Sequence, residues 1–248
     1  MNILNAMWAE SLKIRRSRII WVSLIVSCLL PVLLGLIMSG LVGDNSAFEG
    51  KSDLRAYLDQ LGIVVSMGGL IGFGFVFSWV FGREYSDRTA KDLLALPISR
   101  SKIAAAKLII AAVWCTILAL LTFGFGCFTA WFVQMDGMVG QVVVYCLGRF
   151  IVTAYMVICL SMPVAWSASV GRGYLNSLGF VLLTIVAAQL SGAIGIADYF
   201  PWAIPGLFSG AAGDENVNLE SVSFILPYAT GVIGIVGTLA WWRFADQT

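Results

Sequence analysis

Six long apolar runs leave this chain few ways to fold. Residues 19–42, 61–81, 108–133, 142–168, 175–197 and 221–242 each come close to the ~20 apolar residues that a helix needs to cross a bilayer. No water reaches the backbone inside hydrocarbon, so each run must satisfy its own N–H and C=O groups, which an α-helix does. The expectation is an all-α integral membrane protein with six transmembrane helices, forming one membrane domain over residues 1–248. Only 12% of the residues are charged, about half the share in ordinary soluble domains, so no sizeable soluble domain is expected beside the spans.

Charge in the gaps predicts the orientation. The N-terminal segment, the 82–107 gap, the 169–174 turn and the tail hold twelve Lys/Arg; the other three gaps, 43–60, 134–141 and 198–220, hold Lys51 and Arg55 beside nine acids. By the positive-inside rule both termini and the 82–107 gap face the cytoplasm of a multi-pass protein in the plasma membrane, of bacterial type. A net charge of +1 gives no basic field for nucleic acid. The absence of histidine removes His-based acid–base catalysis, His metal sites and Ser/His/Asp triads. No metal site is expected. The five cysteines lie in apolar runs without a CxxC and read as buried thiols. Gly50-Lys51-Ser52 imitates the end of a phosphate-binding loop, but position 45, where that motif needs glycine, is asparagine.

Residues 82–107 are the longest charged island, with six Lys/Arg and three Asp/Glu. At roughly 2.5–3.5 kcal/mol for each Lys or Arg at a bilayer centre, the island must lie in water or among headgroups. Within it, Thr89-Ala90-Lys91-Asp92 fits a helix start, Leu93, Leu94 and Leu96 follow, and Pro97 ends the helix. Ser99 is placed to cap a second helix running through Lys107 into the next span. Three leucines on a short helix need a partner, a neighbouring helix or the membrane surface to cover them. The alternative is a positive loop that only fixes topology.

Residues 1–18 start amphipathically: Leu4, Met7, Trp8 and Leu12 share a helical face, Glu10 lies on the other, and Lys13, Arg15, Arg16 and Arg18 follow. The run after them is too long for a signal peptide, so an interfacial helix bound to membrane lipid is expected. Gly68 and Gly72 form a GxxxG that serves either packing within the chain or a dimer seam. Pro31 and Pro163 mark kinks, and Gly231, Gly234 and Gly237 flatten one face of the sixth span. Arg149, inside the fourth span, either lines a pathway, snorkels to headgroups or marks a later helix start. Thr153, Thr184 and Gln189 are milder pathway candidates. Tyr199, Phe200, Pro201 and Trp202 form an aromatic belt that acts as an anchor or an outer gate.

Glu84, Thr89, Leu93-Leu94, Pro97-Ile98-Ser99-Arg100, Ile103 and Lys107 together resemble the cytoplasmic loop of ABC-2-type transporter permeases, notably the small permeases of bacitracin-resistance and lantibiotic self-protection systems. The resemblance implies that the N-terminal segment is an elbow helix and the loop a coupling helix seated on a separate ABC ATPase subunit. The docking residues would be Glu10, Glu84, Asp87, Arg88, Thr89, Leu93, Leu94, Leu96, Pro97 and Arg100, with Glu10 a solvated acid in the other reading. It also implies two ATPase copies and a second permease chain, identical or related. ATP and Mg would bind in the ATPase and no cofactor in this chain, which would not itself be an enzyme. The implied function is export of a hydrophobic or amphipathic cargo such as a peptide antibiotic, drug or lipid. The alternatives are a non-transporting membrane anchor or sensor that recruits a soluble ATPase and, more weakly, an intramembrane enzyme.

Overall fold

The computed structural model describes residues 3–41, 53–86, 99–137, 139–211 and 219–244. Among these residues the chain is almost wholly helical, with eight α-helices: α1 (Ile3–Arg15), α2 (Arg18–Met38), α3 (Leu54–Ser86), α4 (Arg100–Phe132), α5 (Gly140–Val170), α6 (Tyr174–Ala193), α7 (Ile204–Ser209) and α8 (Ser221–Phe244). A 3-10 turn, Ala197–Tyr199, precedes α7. Six of the helices, α2 to α6 and α8, are long and apolar enough to cross a membrane. All six expected spans are therefore present as helices, with ends shifted by up to several residues.

The largest shifts decide where polar groups sit. α3 and α4 each run 33 residues, roughly 50 Å at 1.5 Å per residue, whereas the hydrocarbon core is about 30 Å thick. α3 starts at Leu54, so Asp59 belongs to the helix and not to the gap expected over 43–60. It also continues to Ser86, and α4 begins at Arg100, so the 82–107 gap shrinks from both sides. Ser99 occupies the N-cap position of α4 in extended backbone, but its hydroxyl makes no cap hydrogen bond; its carbonyl accepts from the amides of Lys102 and Ile103. α2 does have a side-chain cap, Ser17 Oγ accepting from Ile19 N at 3.1 Å.

α3 is the hub. It packs most extensively against α5 and also touches α2, α4, α6 and α7. Other helices bury 56% of its apolar stretch but only 11% of that of α2, which lies on the periphery. α8 lies along α5 because Gly231, Gly234 and Gly237 meet Cys159, Pro163 and Trp166 in register. Small residues at a three-residue spacing let the two backbones approach. At the C-terminal end of α8 in this contact, Trp242 Nε1 donates to Ser169 Oγ at 2.9 Å, and Trp242 packs edge-on against Phe81.

The glycines of α3 divide by face. Gly69 packs on Val157 of α5 and Gly74 on Val181 of α6. A Cβ built on Gly68 or Gly72 meets nothing within 4 Å. Packing within the chain, one of the two uses expected of the GxxxG pair, therefore falls to Gly69 and Gly74. Gly68 and Gly72 instead line an open groove of about 160 Å³ with Val22, Ser23 and Val26 of α2.

Candidate functional site

The helix ends form two polar sites, one at each end of the bundle. The end that carries α1, Arg83, Arg100 and Arg172 is called here the basic end, and the opposite one the acidic end.

At the basic end four charged side chains from three helices meet. Glu10 and Lys13, three residues apart on α1, face the bundle together. Glu84 comes from the last turn of α3 and Lys107 from the second turn of α4. Lys107 Nζ lies 3.0 Å from Glu10 Oε2, 2.9 Å from Glu84 Oε1 and 3.1 Å from the Val80 carbonyl, so each of its three N–H donors has an acceptor. Lys13 Nζ bridges the same acids, 2.8 Å from Glu10 Oε1 and 3.0 Å from Glu84 Oε1. Lys107 is 1% exposed, Glu84 5% and Glu10 6%, so the site is dry except where Lys13 reaches water. Two lysines balance two glutamates. Glu84 Oε2 is buried with no hydrogen-bond partner among the described residues.

Burial pushes the Glu10 carboxyl up, but the Lys107 and Lys13 ammonium groups together outweigh it and hold Glu10 below the ordinary value of 4.5. For Lys13, burial acts downward, and Glu10 with Glu84 raises it above 10.5. A depressed acid stabilises the fold above its unfolded pKa and loses that contribution as pH falls through the folded value. A raised lysine stabilises below its unfolded pKa and loses the contribution as pH rises through the folded value. The hold of α1 on the bundle is thus expected to be steady from about pH 5 to pH 10 and to weaken outside that window. A spin label on Asn5→Cys should gain mobility only at those extremes.

Glu10 is therefore not a solvated acid: its carboxylate is turned inward onto Lys107. Glu84 is likewise enclosed. Arg100 is exposed at the start of α4. Asp87, Arg88, Thr89, Leu93, Leu94, Leu96 and Pro97, the rest of the expected docking surface, lie outside the described residues. Lys107 was read from sequence only as part of the loop motif and Lys13 only as part of a basic cluster, and neither was placed in the docking surface. The available signals were Glu10 and Lys13 at helical spacing, and a lysine following Ala104-Ala105-Ala106 at the head of an apolar run.

At the acidic end, α5 begins at Gly140, before the predicted start, so Arg149 is well inside the helix. Its guanidinium has partners within the chain. Asp59 of α3 takes its Nη1 at 3.1 Å and the Phe208 carbonyl its Nη2 at 3.0 Å. Thr153 is buried and bonds back to the Arg149 carbonyl, and Thr184 to that of Val181. Neither is among the lining residues of the half-open cavity of about 260 Å³ at this end. Gln189 does line it, with Met67, Leu70, Ile185 and Leu207. Of the aromatic group, Trp202 forms part of the cavity wall and packs edge-on against Phe180, while Tyr199 is exposed.

Six helices long and apolar enough to cross a bilayer, one of them the hub, with a buried ion cluster at the base of a charged loop, make this a multi-pass membrane protein. The chain belongs to the ABC-2 family transporter proteins, whose family model matches residues 6–189 and so includes α1, the loop and the first five spans up to Gln189. It is similar to the bacitracin transport permease protein BCRB of Bacillus licheniformis, at 24% identity over 199 residues, covering 80% of this chain and 92% of the relative.

Proposed function

We propose that this chain is the membrane subunit of an ATP-driven exporter, with ATP and Mg handled by two copies of a separate ABC ATPase docked on the 82–107 loop. Two permease chains, identical or related, form the path between them. Both termini face the cytoplasm of a bacterial plasma membrane, as the twelve-to-two bias in Lys/Arg supports. The cargo is hydrophobic or amphipathic, a peptide antibiotic being the leading class. The relative's name supports that class, and so does the scarcity of charge in the spans, where Arg149 is matched by Asp59.

The ion cluster carries this reading. The loop hangs from α3 and α4, and Lys107 holds Glu84 and Glu10 together at its base. A push on the loop therefore enters α1, α3 and α4 as one body, which is what rigid transmission requires.

The test is Leu93→Asp combined with Leu94→Asp. The double variant is expected to insert in the membrane as the parent does and to lose the ATPase subunit on co-purification. Undiminished co-purification would refute docking at this loop. Proteoliposomes holding both subunits and bacitracin as the probe separate an exporter from a non-transporting anchor: only the exporter moves the peptide with ATP.

A further inference from the structure

α3 carries Glu84 near one end and Asp59 near the other, and it has no proline between them. The two carboxylates lie roughly 38 Å apart along the helix at 1.5 Å per residue. At the acidic end Asp59 belongs to a three-part contact. The Arg149 guanidinium spans from Asp59 to the Phe208 carbonyl and lies 5.9 Å from the centre of the Phe208 ring. One residue on, Ser209 Oγ donates to Ser66 Oγ of α3 at 3.1 Å. α7, the short helix carrying Phe208 and Ser209, is thereby fastened to α3 and α5 by polar contacts. Aromatic contacts hold it elsewhere: its own Phe208 stands edge-on to Phe224 of α8, and Trp202, just before it, edge-on to Phe180 of α6.

The cavity at this end has α3 on one side, through Ser66, Met67 and Leu70, and α7 on another, through Gly206 and Leu207. A shift of α3 relative to α7 changes its width. An arginine inside a span is costly unless its charge and donors are met, and a lysine would offer one nitrogen where the guanidinium reaches the Asp59 carboxylate and the Phe208 carbonyl from two separate ones.

We infer that Arg149 is a positioning residue that clasps α7 to α3, so that movement of α3 begun at the Glu84 end alters the cavity at the acidic end. The coupling half of this inference rests on the function proposed above; the clasp itself does not.

The test uses Ser66→Cys with Ser209→Cys in the full chain, the single-cysteine parents serving as controls for the native thiols. The two hydroxyls lie 3.1 Å apart, so thiols in their place would be neighbours. In proteoliposomes without any ATPase, oxidative bridging is expected to slow at least threefold when Arg149→Gln is added. The milder Arg149→Lys should slow it too while leaving the gel-filtration profile unchanged. Bridging at the parent rate in both variants overturns the clasp.

With the ATPase subunit present, trapping with ATP and vanadate is expected to lower the bridged fraction at least threefold, and Arg149→Gln should abolish that difference. The swap of Asp59→Arg with Arg149→Asp should restore it. A bridged fraction indifferent to nucleotide in the Arg149 parent, or a difference that survives Arg149→Gln, overturns the coupling. Failure of the ATPase subunit to bind any variant overturns the function proposed above together with the coupling, while the first arm still decides the clasp.

Discussion

Replacing Lys107 with methionine is expected to destabilise the folded chain by about 3–5 kcal/mol, the cost of breaking a buried ion pair from one side. Methionine has nearly the right length and shape, so little of the loss is packing. The damage is electrostatic: Glu10 and Glu84 stay buried, and only the half-exposed Lys13 is left to balance them. A carboxylate in that position either ionises at high cost or binds a proton. Thermal unfolding in detergent, followed by tryptophan fluorescence, measures the loss. The triple variant Lys107→Met, Glu10→Gln, Glu84→Gln should recover much of it, because it removes the stranded charges as well. A triple variant as unstable as the single one would show that Lys107 acts by packing alone.

Gly234→Ala is the second large effect expected, at about 1–3 kcal/mol. A Cβ at that position would lie 2.5 Å from Pro163 N, 2.7 Å from Pro163 Cδ and 2.8 Å from the Met162 carbonyl carbon. These are backbone and ring atoms, which have no rotamer to change, so α8 must move away from α5. That movement would strain the Trp242–Ser169 hydrogen bond at the end of the same contact. Gly124→Ala is the internal control: nothing lies within 4 Å of the added carbon, and alanine is the better helix former. The two variants should unfold at clearly different temperatures in the same detergent. Equal midpoints would mean that α8 is not held by this close approach.

How far the site was legible depended on how local each feature is. Gly231, Gly234 and Gly237 were readable as a flat face because their spacing lies within one helix. Ser99 was readable as a helix start, but not the absence of its cap bond, which depends on where neighbouring groups fall. Glu10 could be read as an acid on the polar side of a short helix, and that suggested water or a partner protein around it. Its actual neighbour, Lys107, is 97 positions along the chain, and no local pattern links them. Asp59 was assigned to a gap because a charged residue ends an apolar run when the run is read alone. It lies inside α3, where Arg149, 90 positions away, meets its carboxylate.

The sequence by itself determined the class of the protein and its number of spans. Length and apolarity are properties of each run, and a bilayer admits a single self-satisfied solution for them. It also predicted the end at which the charged loop emerges, since the basic residues cluster in alternate gaps. Only the tertiary structure decided which charges meet. A buried ion is stable only beside its counter-ion, and the partner that reaches it depends on how distant helices cross. That crossing made α3 the helix that holds a paired carboxylate at each end.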